Sequence, residues 1–166
     1  MEYEKIKLND RHLELHSPHF KIPSDAPIRK MVFYCYYKGK LVNGKYEGLG
    51  TEIILEDGNY MKDVFSFYKG QWKNGKKHGK WTRYYNNGRI FSISNYYLGV
   101  KNGSFITFSE NGQFIEKGKY KNNLEDGLWL RFFENGKINY KGKFINGKKT
   151  GVWVGYYYNG QLEYKG

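Results

Sequence analysis

A single cysteine, Cys35, stands in the 166 residues, so no disulfide closes within the chain. No apolar run approaches the roughly 18 residues that a membrane-spanning helix needs. The opening segment, MEYEKIKLND, carries acids and lysines where a signal peptide would place an apolar stretch. A soluble, cytoplasmic protein is the expectation. Proline is rare, at 3 residues, and acids are scarce in one half only: residues 70–166 hold 17 bases against 6 acids, whereas residues 1–69 are close to balanced.

Aromatics are abundant, with 4 Trp, 17 Tyr and 11 Phe, and glycine reaches 21 residues. That composition favours strands and turns over helices. The net charge of +12 is concentrated in the C-terminal half, where its field would attract an acidic protein face, phosphates or an anionic lipid surface. Only 5 of the 28 bases are arginine, which fits a compositional preference for lysine but does not explain the local scarcity of acids.

The dominant feature is an internal repeat of 24 residues. Gly79, Gly103, Gly127 and Gly151 share that spacing, as do the pairs Asn87-Gly88, Asn111-Gly112, Asn135-Gly136 and Asn159-Gly160. Each spaced glycine is followed two positions later by Trp81, Phe105, Trp129 or Trp153, and three further on by Tyr84, Phe108, Phe132 or Tyr156. Four gapless units result over residues 70–166, preceded by an irregular unit with a longer connection over 37–69 and a segment over 1–36 that reads as a cap.

Each unit reads as two strands and two turns. The Asn-Gly pair predicts a two-residue type I′ hairpin, since both of its central residues need positive φ. The other turn, NGKKHG at 74–79 and NGKKTG at 146–151, reads as longer. Counting outward from Asn-Gly pairs Trp129 with Gly142 and Gly127 with Phe144, so rings fall opposite glycines as if to cover bare backbone. The period of two places Trp72, Tyr96, Tyr120 and Phe144 on one face with Trp81, Phe105, Trp129 and Trp153, joined by Tyr85, Phe133, Tyr157, Ile90, Ile138 and Leu162. The predicted fold is all-β: an elongated single-layer antiparallel meander of stacked β-hairpins with an N-terminal cap. One face of such a sheet stays uncovered unless it curves into a trough or a partner packs on it. The open edge at the C-terminal end invites pairing with a second copy.

Residues 37–50 and 68–166 resemble MORN repeats, through Tyr37, Gly39, Asn43, Gly44, Gly48 and Gly50, and then Tyr68, Gly70, Trp72, Asn74, Gly75, Lys76, Gly79 and Trp81. The spacing, and Trp after the internal glycine, are similar to bacterial MORN-variant repeats of the antitoxin type. The second unit departs from the pattern at Ser94, Leu98 and Ser109. The resemblance implies an elongated binding module that grips, blocks or scaffolds a protein partner, a toxin or a nucleic-acid-processing enzyme among the candidates.

Candidate chemistry is sparse. His12, His16 and His19 with Asp10 and Glu14 offer donors for zinc, but their spacing matches no strong motif and Pro18 interrupts any helix that would converge them. No phosphate-binding Gly-rich loop or nucleophile elbow occurs, and neither enzyme activity, a metal nor a cofactor is expected. The first gapless unit instead gathers Lys73, Lys76, Lys77, Lys80, Arg83 and Arg89 without an acid, beside Tyr85. These seven residues are the expected partner-binding patch. Anionic lipid or nucleic acid remains the alternative ligand of the same basic surface.

Overall fold

The computed structural model describes residues 4–6, 32–57 and 64–166, with side chains described over 38–52 and 67–166. The cap residues Leu13, Leu15, Phe20 and Ile22, the histidines 12, 16 and 19, and the side chain of Cys35 lie outside the described residues. No helix occurs among the described residues, and so none is long and apolar enough to cross a membrane.

Among the described residues, twelve strands form one antiparallel sheet in simple sequence order. They are β1 (Glu4–Ile6), β2 (Val32–Val42), β3 (Lys45–Asp57), β4 (Val64–Lys73), β5 (Lys76–Tyr84), β6 (Ile90–Tyr97), β7 (Val100–Phe108), β8 (Phe114–Lys121), β9 (Leu124–Phe132), β10 (Ile138–Ile145), β11 (Lys148–Tyr156) and β12 (Leu162–Lys165). Each strand bonds only to its sequence neighbours, the all-β hairpin meander that the repeat predicts.

The two turn types are exchanged relative to the sequence expectation. The tight two-residue turns are Asn43-Gly44, Asn74-Gly75, Leu98-Gly99, Asn122-Asn123 and Asn146-Gly147, all with positive φ at both residues. They are closed by pairs such as Lys73 with Lys76 and Ile145 with Lys148. That pattern is the type I′ hairpin. At Asn87-Gly88 the loop holds one residue more: Gly88 donates to the Tyr85 carbonyl (3.0 Å), Tyr85 donates to that of Arg89 (2.8 Å), and only Gly88 is left-handed (φ 81°). Asn87 is used there as an acceptor, its Oδ1 taking the Arg89 N–H at 2.9 Å, as Asn135 does for Lys137 (3.0 Å) and Asn159 for Gln161 (2.9 Å).

The predicted pairing nevertheless holds, with Trp81 opposite Ser94, Trp129 opposite Gly142 and Phe144 opposite Gly127. A one-residue bulge at Phe91, Ile115, Asn139 and Glu163 restores the offset introduced by the longer loop. The bulge has a cost for the face assignment: Ile90, Ile138 and Leu162 pair with Tyr84, Phe132 and Tyr156, and so belong to the face opposite the one predicted for them. The spaced glycines are not turn residues either. Gly79 and Lys80 form an extra pair in β5 between Trp81 and His78, and the positive φ of Gly79 (67°) makes that kink possible.

The core is a single layer of indoles: Trp72, Trp81, Trp129 and Trp153 are the buried hydrophobics among the described residues. Each indole of the column leans on the strand before it. A Cβ on Gly70 would meet Trp81 Cδ2 at 2.4 Å, one on Gly118 would meet Trp129 at 2.3 Å, and one on Gly142 would meet Trp153 at 2.2 Å. The ring that covers Gly142 is therefore Trp153, not its register partner Trp129. Gly127 has nothing within 4 Å of its Cβ position, so its pairing with Phe144 brings no covering ring. The lean is fixed in part by indole N–H groups, Trp81 donating to Gln71 O at 2.9 Å and Trp129 to Lys119 O at 3.2 Å.

Candidate functional site

Because glycines lie under the rings, the ring-bearing face is deeply recessed. It forms a groove of ≈510 Å³ running from β4 to β11. Its floor holds two runs of rings in edge contact: Trp81 to Tyr96 at 6.4 Å, with Trp72 beside Trp81 at 5.0 Å, and then Phe105, Tyr120, Trp129, Phe144 and Trp153 at successive separations of 5.2, 5.2, 6.0 and 5.0 Å. Edge-to-face geometry suits the ring quadrupoles.

Charged side chains enter the groove at three repeat columns, those of positions 77, 83 and 116. One wall carries Lys77, Lys101, Glu125 and Lys149, and the other carries Arg83 and Glu116, with Arg131 beside them. Lys77 lies 4.4 Å from the Trp81 ring centre and 4.7 Å from that of Tyr68, and pairs with Glu52 at 2.7 Å. Lys101 lies 4.9 Å from the Tyr120 ring and Lys149 4.4 Å from the Trp153 ring. Cations held over rings in this way keep their N–H groups available while their stems cover apolar surface.

Burial shows in the acid–base chemistry. Loss of hydration pushes the Tyr96 hydroxyl up to about 12, with Tyr68 and Glu52 adding to the effect. Tyr120 is raised further for the same first reason, with Glu125 and Glu116 contributing. Lys101 is lowered by burial, against the pull of Glu125.

The seven residues of the expected patch are not brought together. Lys77 and Arg83 face the groove, Arg83 lying over Phe91 at 4.5 Å. Lys73 and Lys76 are exposed and flank the Asn74-Gly75 turn at one rim of the sheet. Lys80 is exposed in the kink of β5. At the other rim, Arg89 donates to the Glu110 carbonyl at 2.6 Å. Tyr85 is half-buried rather than exposed and donates to the Phe108 carbonyl at 2.7 Å. Sequence reasoning missed Lys101, Glu116, Glu125, Arg131 and Lys149. The signal was present as a column rather than a contiguous run of charge, since positions 77, 101, 125 and 149 keep the 24-residue spacing. No group of three or more His, Cys, Asp or Glu among the described residues is arranged to hold a metal.

The fold is an open, single-layer sheet of stacked hairpins with a recessed aromatic face. The family described as MORN repeat variant matches four stretches of this chain, residues 77–96, 101–122, 125–146 and 149–166. These four stretches are similar to the MORN repeat variant, a family of non-catalytic binding repeats. No curated protein matches the chain.

Proposed function

We propose that the protein is a non-enzymatic, protein-binding repeat module that grips an exposed segment of a partner along its ring-lined groove and thereby blocks or scaffolds that partner. One observation carries this reading: a recess of ≈510 Å³ whose floor is aromatic and whose walls hold Lys77, Arg83, Lys101 and Lys149. Aromatic anchors with arginine and lysine at their edge are what protein interfaces enrich. Steric occlusion of a partner, as an antitoxin-like inhibitor would perform it, requires no catalytic group.

The test compares the two faces. Charge reversal at Lys101 and Lys149 should abolish retention of the partner from host extract, whereas reversal at Lys117 and Lys141, which lie over rings of the opposite face, should leave it intact. Equal retention by all four variants would refute the reading. A second reading rests on exposed Lys45, Lys73, Lys76, Lys121 and Lys148 beside the two-residue turns of one rim, a row suited to anionic lipid. Sedimentation with anionic vesicles, lost when these five lysines are neutralised, would favour it.

A further inference from the structure

The groove is not uniform along its length. In the column that holds Tyr68, Glu116 and Tyr140 the first gapless unit has Ser92, in the column of Arg83 and Arg131 the second unit has Thr107, and in the column of Gly70, Gly118 and Gly142 the second unit has Ser94. Two large side chains are thus replaced by small hydroxyl residues on adjacent strands, Ser92 directly opposite Thr107. The result is a hollow in the groove wall with a polar floor. Ser92, Ser94 and Thr107 are only 8, 7 and 8% exposed, and all three line the groove.

Arg83 sits on the strand beside Ser92, its guanidinium over the rings of Phe91 (4.5 Å) and Tyr68 (5.5 Å). The bulge position is aromatic only in this unit, its counterparts being Ile115, Asn139 and Glu163, so this repeat alone provides a shelf for the guanidinium. Stacking on the shelf leaves the in-plane N–H fork free for a planar acceptor. On the far side of the hollow, Glu116 pairs in register with Thr107. Glu116 is also paired in register with Arg131, so Arg83 is the cation that faces the hollow, and a single negative charge balances it.

Resting on the protein-gripping reading above, we infer that the hollow formed by Ser92, Ser94 and Thr107 beside Arg83 receives the carboxylate of one Asp or Glu side chain in the partner's bound segment. The fork of Arg83 takes the carboxylate oxygens and the hydroxyls supply further donors. The ring file on either side of the hollow holds the flanking apolar residues.

Random peptides displayed and selected on the full chain test this directly. The expected outcome is enrichment of Asp or Glu at one position among apolar and aromatic neighbours. For a selected peptide, changing that acid to its amide and changing Arg83→Gln should each weaken binding by about ten- to a hundredfold, and together scarcely more than either alone. Ser94→Gly restores the residue used by the other repeats, tests a hydroxyl without endangering the fold, and should weaken binding severalfold. Ser92→Tyr, which fills the hollow as Tyr68 and Tyr140 do, should remove the acidic preference. Peptides that bind without an acidic preference, that prefer a phosphorylated residue at the enriched position, or that are indifferent to Arg83→Gln would overturn the inference while leaving the protein-gripping reading standing. Failure to select any peptide would remove both.

Discussion

Gly142 offers the sharpest test of the packing. It is buried under Trp153, and a Cβ there would lie 2.2 Å from Cδ2, 2.3 Å from Cε2 and 2.7 Å from Cε3 of that indole. No real Cβ contact is that short, so Gly142→Ala must push the ring off the sheet or displace the backbone beneath it. Overpacking of a tight core costs about 1 to 3 kcal/mol, and Trp153, at 7% exposure, has little room to yield. A loss near 2 to 3 kcal/mol is therefore expected. Gly127→Ala is the control, because its Cβ position is open and its penalty comes only from a left-handed φ of 76°, about 1 kcal/mol. Urea unfolding followed by tryptophan fluorescence, with the slope compared between variants, measures both. If Gly127→Ala were as costly as Gly142→Ala, or costlier, the account of rings covering glycines on the preceding strand would be wrong.

Leu98 holds φ 48° in a two-residue turn where Asn43, Asn74, Asn122 and Asn146 serve elsewhere, so Leu98→Asn should stabilise the chain by roughly 1 kcal/mol in the same assay. Lys77→Met takes from Glu52, a side chain 16% exposed, the ammonium 2.7 Å away, and should destabilise by about 1 to 3 kcal/mol, against no change if the pair is ornamental. Tyr96 keeps its proton up to about 12 in the folded chain, whereas an unfolded tyrosine releases it near 10. The folded state thus binds more protons in that window, and stability should fall as pH rises from about 10 to about 12. Tyrosinate absorbance should show Tyr96→Phe removing a late-titrating group and part of that slope.

The repeat was legible because 24-residue columns of glycine, tryptophan and Asn-Gly register themselves against one another, and the strand pairing follows from any one correct hairpin. What the columns concealed was compensation. A three-residue loop and a one-residue bulge restore the same register as a two-residue loop, so Trp129 meets Gly142 under either turn chemistry, while Ile90 and Ile138 change face. Asn87 and Asn74 look alike in the sequence, yet one accepts a backbone N–H through Oδ1 and the other holds φ 53°. The groove was half legible: its rings were assigned to one face, but Lys101 and Lys149 needed the fold to bring them over Tyr120 and Trp153. The departures of the second unit resolve differently from one another. Ser94 is buried in the groove, Leu98 holds a turn, and the Ser109 carbonyl accepts the Gly112 N–H at 2.8 Å in its loop.

Site-specific photo-cross-linking in the native host tests whether a partner protein occupies the ring-lined groove, whatever that partner is. A photoreactive residue placed at position 101 or 149 should give a covalent adduct with one discrete protein, and the same residue at position 117 or 141 on the opposite face should give none. Adducts formed from 117 and 141 but not from 101 and 149 would place the partner on the other face and contradict the account.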